Sequence, residues 1–150
     1  MTTEIRSIGD KITPRQATAV VQQTAGATAE IVGIVIDRAA IGWPESAVVA
    51  IPFSATLGAT ETASLAYTLA SSQAANMSSP TTVATAGAAV VATGAGGGST
   101  ESGLIEVNVS LRGAGRYVRL NITPTLSRAN TDTARVGGVL VFGGANRLPQ

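Results

Sequence analysis

The chain has 150 residues, a formal net charge of +1, only 13% charged residues, and neither histidine nor cysteine. Those figures exclude an imidazole metal site, a Ser-His-Asp triad, a disulfide framework and thiol chemistry. A near-neutral chain also carries no strong field toward nucleic acid or an anionic membrane, so neither is expected as a partner.

Residues 1–30 read as an extended N-terminal arm. They hold Arg6, Arg15, the single lysine Lys11, Pro14 and the polar run Gln22-Gln23-Thr24. Ile8, Ile12 and Val20-Val21 are too scattered to form an amphipathic face, and one short strand fits near 17–21. The start has no apolar signal region, and the longest apolar stretches (31–36 and 47–53) fall far short of the roughly 20 residues a membrane helix needs. A soluble chain made in the cytoplasm is therefore expected.

From Ile31 a strand signal recurs at short intervals, which predicts an antiparallel β-sandwich over 31–150. The β-branched run 31–36 is the first predicted strand, followed by a loop through Asp37-Arg38 and Gly42-Trp43-Pro44-Glu45. Residues 47–55 put Val49, Ile51 and Phe53 on one face, and Pro52 suggests an edge strand or a bulge, because proline gives the ladder no donor. Gly58 turns the chain. In 63–70, Leu65, Tyr67 and Leu69 alternate with Ser64, Ala66 and Thr68; the Leu65/Leu69 spacing also fits a helix, but the alternation and flanking Ser and Thr favour strand. A loop over 71–80 leads to a predicted strand over 82–93, then a Gly-rich surface loop.

The last three predicted strands are 103–112, 116–123 and 136–142. Ile105, Val107, Val109 and Leu111 share one face of the first, and Val118, Leu120 and Ile122 one face of the second. Gly113-Ala114-Gly115 reads as a short hairpin loop between them, so the end of the chain reads as a β-meander.

Three segments carry a resemblance: RYVRL at 116–120, VGGVLVFGG at 136–144, and TASLAYTLASSQAANMSSP at 62–80. Over 31–145 the pattern resembles the small cement, or decoration, proteins of tailed-bacteriophage capsids. The first thirty residues and the loop around 93–102 have no counterpart in it. The resemblance implies a jelly-roll-like sandwich and a non-enzymatic structural role on the outside of a virion. Its implied partner is the major capsid protein, with a homo-oligomer on the capsid surface. The composition agrees: 45% apolar content and 3% aromatics leave a weakly polar Ala/Thr/Ser surface suited to burial against neighbours. The other reading is a receptor- or carbohydrate-binding sandwich from a phage fibre or tail, which would want more exposed aromatics than the chain has.

No cofactor is expected, and no catalytic constellation is legible. A Ser–Lys pair would need Lys11 in the arm, and the carboxylates form no recognisable pair. Asn130-Thr131-Asp132 lacks the spacing of a calcium loop and reads as an Asx-turn. GAGGGST at 94–100 lacks the lysine and the following helix of a phosphate loop. The sequons at Asn76, Asn108 and Asn121 are chance matches. The candidate partner-binding residues are Arg6, Lys11 and Arg15 on the arm, Arg112, Arg116 and Arg119 around the 113–115 turn, and Trp43. The tryptophan either plugs the end of the core or anchors a partner.

Overall fold

The computed structural model describes residues 9, 11–25, 28–127 and 131–145. Eight strands run through it: β1 (Ile12–Thr24), β2 (Ile36–Asp37), β3 (Pro44–Leu57), β4 (Thr62–Ser72), β5 (Thr81–Thr93), β6 (Ser99–Ser110), β7 (Tyr117–Leu126) and β8 (Thr133–Ala145). They form two four-stranded antiparallel sheets, β1-β8-β3-β6 and β2-β7-β4-β5. Only β4 and β5 follow each other within one sheet, and every other connection crosses to the opposite sheet. That order is a jelly roll: all-β, antiparallel and double-layered.

The core lies between the sheets and follows the alternation of the strands. Ala47, Val49, Ile51, Ala55 and Leu57 of β3 and Val136, Leu140 and Phe142 of β8 face Leu65 and Leu69 of β4 and Val118, Leu120 and Ile122 of β7. With few aromatics, aliphatic interdigitation fills the space, and burial of each such side chain contributes roughly 1.5–3 kcal/mol.

Five expectations are corrected. The end of the chain is not a meander: β6 and β8 lie in one sheet and β7 in the other, so Gly113-Ala114-Gly115 links sheets and is no hairpin. Gly113 still supplies a positive φ of 77°. Residues 12–24, expected as an arm with a short strand, form a thirteen-residue edge strand on β8 that buries Ala17 and Thr18. Two register shifts in β1 hid the alternation, because each bulge flips the inward parity.

The run 31–36 is no continuous strand. Ile31 makes a single bridge to Ile122, pairing resumes only at Ile36–Asp37, and Val32 and Ile34 are 58% and 50% exposed. This stretch closes one side of the sandwich by reaching both sheets, with Ile31 bonded to Ile122 and the Ile34 amide donating to Ala17 O at 2.7 Å. Gly33 sits between them where a Cβ would lie 2.0 Å from Leu120 O and 2.7 Å from Ala17 O, so no side chain fits.

Pro52 lies in a central strand rather than on an edge. The β3–β8 pairing skips Ile51 and Pro52 without changing register, opposite Gly137-Gly138. The missing donor is absorbed by a gap in the ladder. Finally, the strand expected over 103–112 begins at Ser99, so the Gly-rich loop shrinks to 94–98.

Candidate functional site

Strand register gathers the candidate residues at one end of the sandwich. Ser46 pairs with both Gly143 and Ser110, Ile12 pairs with Gly143, and Ser72 pairs with Tyr117. The segment between β2 and β3, the 72–81 loop, the 111–116 link and the start of β1 therefore meet there.

Arg38 organises this end. It is buried, and its guanidinium donates from Nη1 to Ala114 O (2.6 Å) and Gly115 O (3.0 Å) and from Nη2 to Pro44 O (2.7 Å). Its Nε is buried without a partner among the described residues. Burial pushes its pKa down, against the favourable field of Glu45, yet an arginine stays charged at any ordinary pH. One side chain thus fastens its own β2–β3 connection to the β6–β7 link, more than seventy residues away. Sequence reasoning missed this role. The available signal was an arginine within a short apolar stretch, in a chain where charge is scarce.

Trp43 lies over Arg38, with the guanidinium carbon 5.6 Å from the ring centroid. It is 44% exposed and its φ is 54°, a left-handed conformation that costs a bulky residue on the order of 1 kcal/mol or more. It does not plug the core. The left-handed Gly42-Trp43 step, held by the Trp43 amide donating to Arg38 O at 2.9 Å, presents the ring to solvent beside the arginines.

Two exposed pairs flank this centre. Arg116 grips Asp37 with both arms of its fork, Nε to Oδ1 at 3.0 Å and Nη2 to Oδ2 at 2.7 Å, and its guanidinium also lies 5.2 Å from the Tyr117 ring centroid. The hydrogen bond from Arg116 is the largest influence on Asp37 and holds its carboxyl below the usual value; the same contact raises the Arg116 pKa. Arg112 donates from Nε to Glu45 Oε2 at 3.2 Å. Both arginines, expected as cations for a partner, already have carboxylates within the chain, and what they present outward is donor capacity left over from those pairs.

Lys11 is exposed at the same end, next to Ile12. Arg15 is exposed further along β1, donating to Pro14 O at 3.2 Å. Arg119 lies on the outer face of β7 with its Nε buried and without a partner among the described residues. Arg6 lies outside the described residues. A cleft of about 530 Å³ opens beside Arg112, with Ser71, Ser72, Ser78, Thr81 and Thr82 among its lining residues.

The opposite end mixes acids with Arg135, which lies near the start of β8 opposite Gln22 and Ser54. Glu61, Glu101 and Asp132 lie around the β3–β4, β5–β6 and β7–β8 connections. Asp132, read from the sequence as part of an Asx-turn, is buried and accepts from the distant Gly58 amide at 2.9 Å; its Oδ2 has no partner among the described residues, outside which Asn130 lies. Among the described residues no group of three or more acidic, histidine or cysteine side chains converges as a metal site would require.

The fold defines a class, the single jelly-roll domain, and the comparisons with known proteins agree at that level. No protein-family model and no curated protein matches the sequence. Among solved structures, the chain is similar to the VP2 subviral particle of infectious bursal disease virus, with a TM-score of 0.50 and 15% identity over 91% of this chain and 33% of that one. The T=1 particles derived from the same virus give 0.53 and 14% over 93% and 33%. The PBSX exported protein XepA gives 0.45 and 12% over 92% and 39%. The chain spans about a third of the length of these structures, and the likeness is one of fold.

Proposed function

We propose that this protein is a structural component of a virion, a cement or decoration protein on the outside of a phage capsid that stabilises contacts between major-capsid subunits. The observation that carries this reading is the end of the sandwich just described. A buried arginine fixes it, and Arg112, Arg116, Lys11 and an outward tryptophan project from it, with no reacting constellation beside them. A partner surface rich in carboxylates complements it, and Trp43 is the apolar anchor such interfaces favour.

The likeness in fold to proteins that build virus particles supports the reading without specifying it. Lys11 and Arg15 add positive charge to the contact, Arg119 extends it along β7, and Arg6 keeps the role expected from the sequence. The residues ahead of β1 act in this reading as the arm. Binding across a junction resists separation of the subunits, because separation must also expose the buried cement interface. Neither a cofactor, a membrane nor nucleic acid enters this function.

Charge reversal tests the contact. Lys11→Glu and Arg15→Glu, both at exposed positions, should each weaken binding to particles lacking the protein, while leaving its unfolding temperature unchanged. For Arg116 the double variant Asp37→Arg, Arg116→Asp retains the internal pair and moves the positive charge. Particle binding unaffected by all three would refute the assignment of this end. Binding to host cells or glycans instead of particles would favour the receptor-binding reading.

A further inference from the structure

Each sheet of the sandwich has two edges, and three of the four are blunted. β1 carries Pro14 and two register shifts, β2 is two residues long, and β5 has three register shifts against β4. Bulges, prolines and very short strands are the usual devices that keep an edge from pairing with another chain. The fourth edge, β6, has none of them. It pairs with β3 over twelve consecutive residues, Ser99 through Ser110, without one register shift. It contains no proline or lysine, and no backbone hydrogen bond from a loop of the described residues reaches its outer side.

We infer that β6 is a self-association edge, on which a second copy of this chain adds its own β6 antiparallel, joining two sheets into one of eight strands. This specifies the homo-oligomer of the reading above, but it rests on the strand alone.

Charge and shape fit a second copy as the occupant, in a register centred on Leu104. A two-fold axis makes residues pair with a constant sum, and side chains that share a face require that sum to be even. Centring the axis on Leu104, which is 52% exposed in the middle of the strand, stacks it on Leu104 of the second copy. Glu106, on the same outer face, then faces Ser102, and Thr100 faces Asn108. On the inner face Glu101, held by the Ser99 hydroxyl at 2.7 Å, faces Val107 near the end of the strand, and Gly103 faces Ile105. The tip of the Phe53 ring already lies over Gly103, where a Cβ would come within 2.6 Å of it, so the inner side of the seam is apolar at its centre. No acid meets an acid. Centring the axis on Glu106 instead would set the two carboxylates face to face, which is unfavourable.

Twelve residues give about 40 Å of edge, and with a sheet-to-sheet spacing of about 10 Å the contact covers roughly 400 Å² per copy. That lies at the low end for specific association. The main-chain bonds it adds, about ten, match a typical interface. A weak dimer is expected, with a Kd of about 1–100 μM, dimeric where copies are crowded together.

Sedimentation equilibrium on the isolated full chain tests this, with far-UV circular dichroism confirming that each variant is folded. Wild type should dimerise with concentration. Ser102→Glu, which places a carboxylate opposite Glu106 twice per dimer, should weaken the dimer by about tenfold or more, and Ser102→Lys should tighten it. Leu104→Lys should weaken it through like charges at the axis. A chain that stays monomeric up to about 1 mM overturns the inference. So does a dimer that responds identically to Ser102→Glu and Ser102→Lys, because that dimer uses another surface. Either failure leaves the capsid reading standing, since particle binding is measured separately.

Discussion

Replacing Arg38 by methionine keeps the apolar stem and removes the guanidinium that fastens Ala114, Gly115 and Pro44. Each hydrogen bond from a charged donor contributes a net of about 1.5–3 kcal/mol when taken singly. Three from one group do not add fully, and the variant recovers the cost of keeping a charge buried with Nε unpartnered among the described residues. The net loss should be about 3 kcal/mol, or about 6–12 °C in Tm for a domain of this size. Urea denaturation followed by far-UV circular dichroism measures it, and an unchanged slope would show that the unfolded ensemble is unaffected. Trp43 provides a local readout, because losing the cation beneath its ring should shift its fluorescence in the native state. Arg38→Lys should fall between the two, since one ammonium cannot span all three carbonyls. A loss below about 1 kcal/mol for Arg38→Met would refute the reasoning, because water would then be satisfying those carbonyls.

Gly33→Ala should destabilise by about 2–4 kcal/mol, since its Cβ collides with two backbone carbonyls that cannot rotate away; chemical denaturation checks this. Leu120→Ala, in the centre of β7 and fully buried, should cost about 2–5 kcal/mol by the same assay. The Asp37–Arg116 pair should give a pH-dependent difference between wild type and Asp37→Asn. The folded-state pKa of Asp37 is depressed below its ordinary 3.8, so its stabilisation is fully present above that value and is lost as pH falls through the folded pKa. Unfolding temperatures of the two should differ at neutral pH and converge once the pH has fallen below the folded-state pKa of Asp37.

Strand alternation made much of this fold legible. In β4 and β7 every second residue is buried, as 63–70 and 116–123 suggested, and the inward face of β3 matched Val49 and Ile51. Period 2 reports a face, however, not a sheet. The same alternation served β6 and β7 in opposite sheets, so a link between layers passed for a hairpin. Bulges cancelled the pattern in β1, and a β-branched run misled where Gly33 forces the chain across the gap between layers. The candidate site was legible in composition but not in pairing. Arg112 and Arg116 stood out as cations, while their partners Glu45 and Asp37 lie 67 and 79 residues away, and only the folded topology joins them. Arg38 carried no motif, because its role comes from carbonyls contributed by a distant loop.

The most direct test of the central claim is the thermal and osmotic stability of phage particles assembled without this protein and then titrated with it. Cementing predicts that such particles assemble yet release their DNA at lower temperature. It also predicts that added protein restores their stability and saturates at a stoichiometry fixed by the lattice. Particles whose stability is the same with and without the protein would contradict the account.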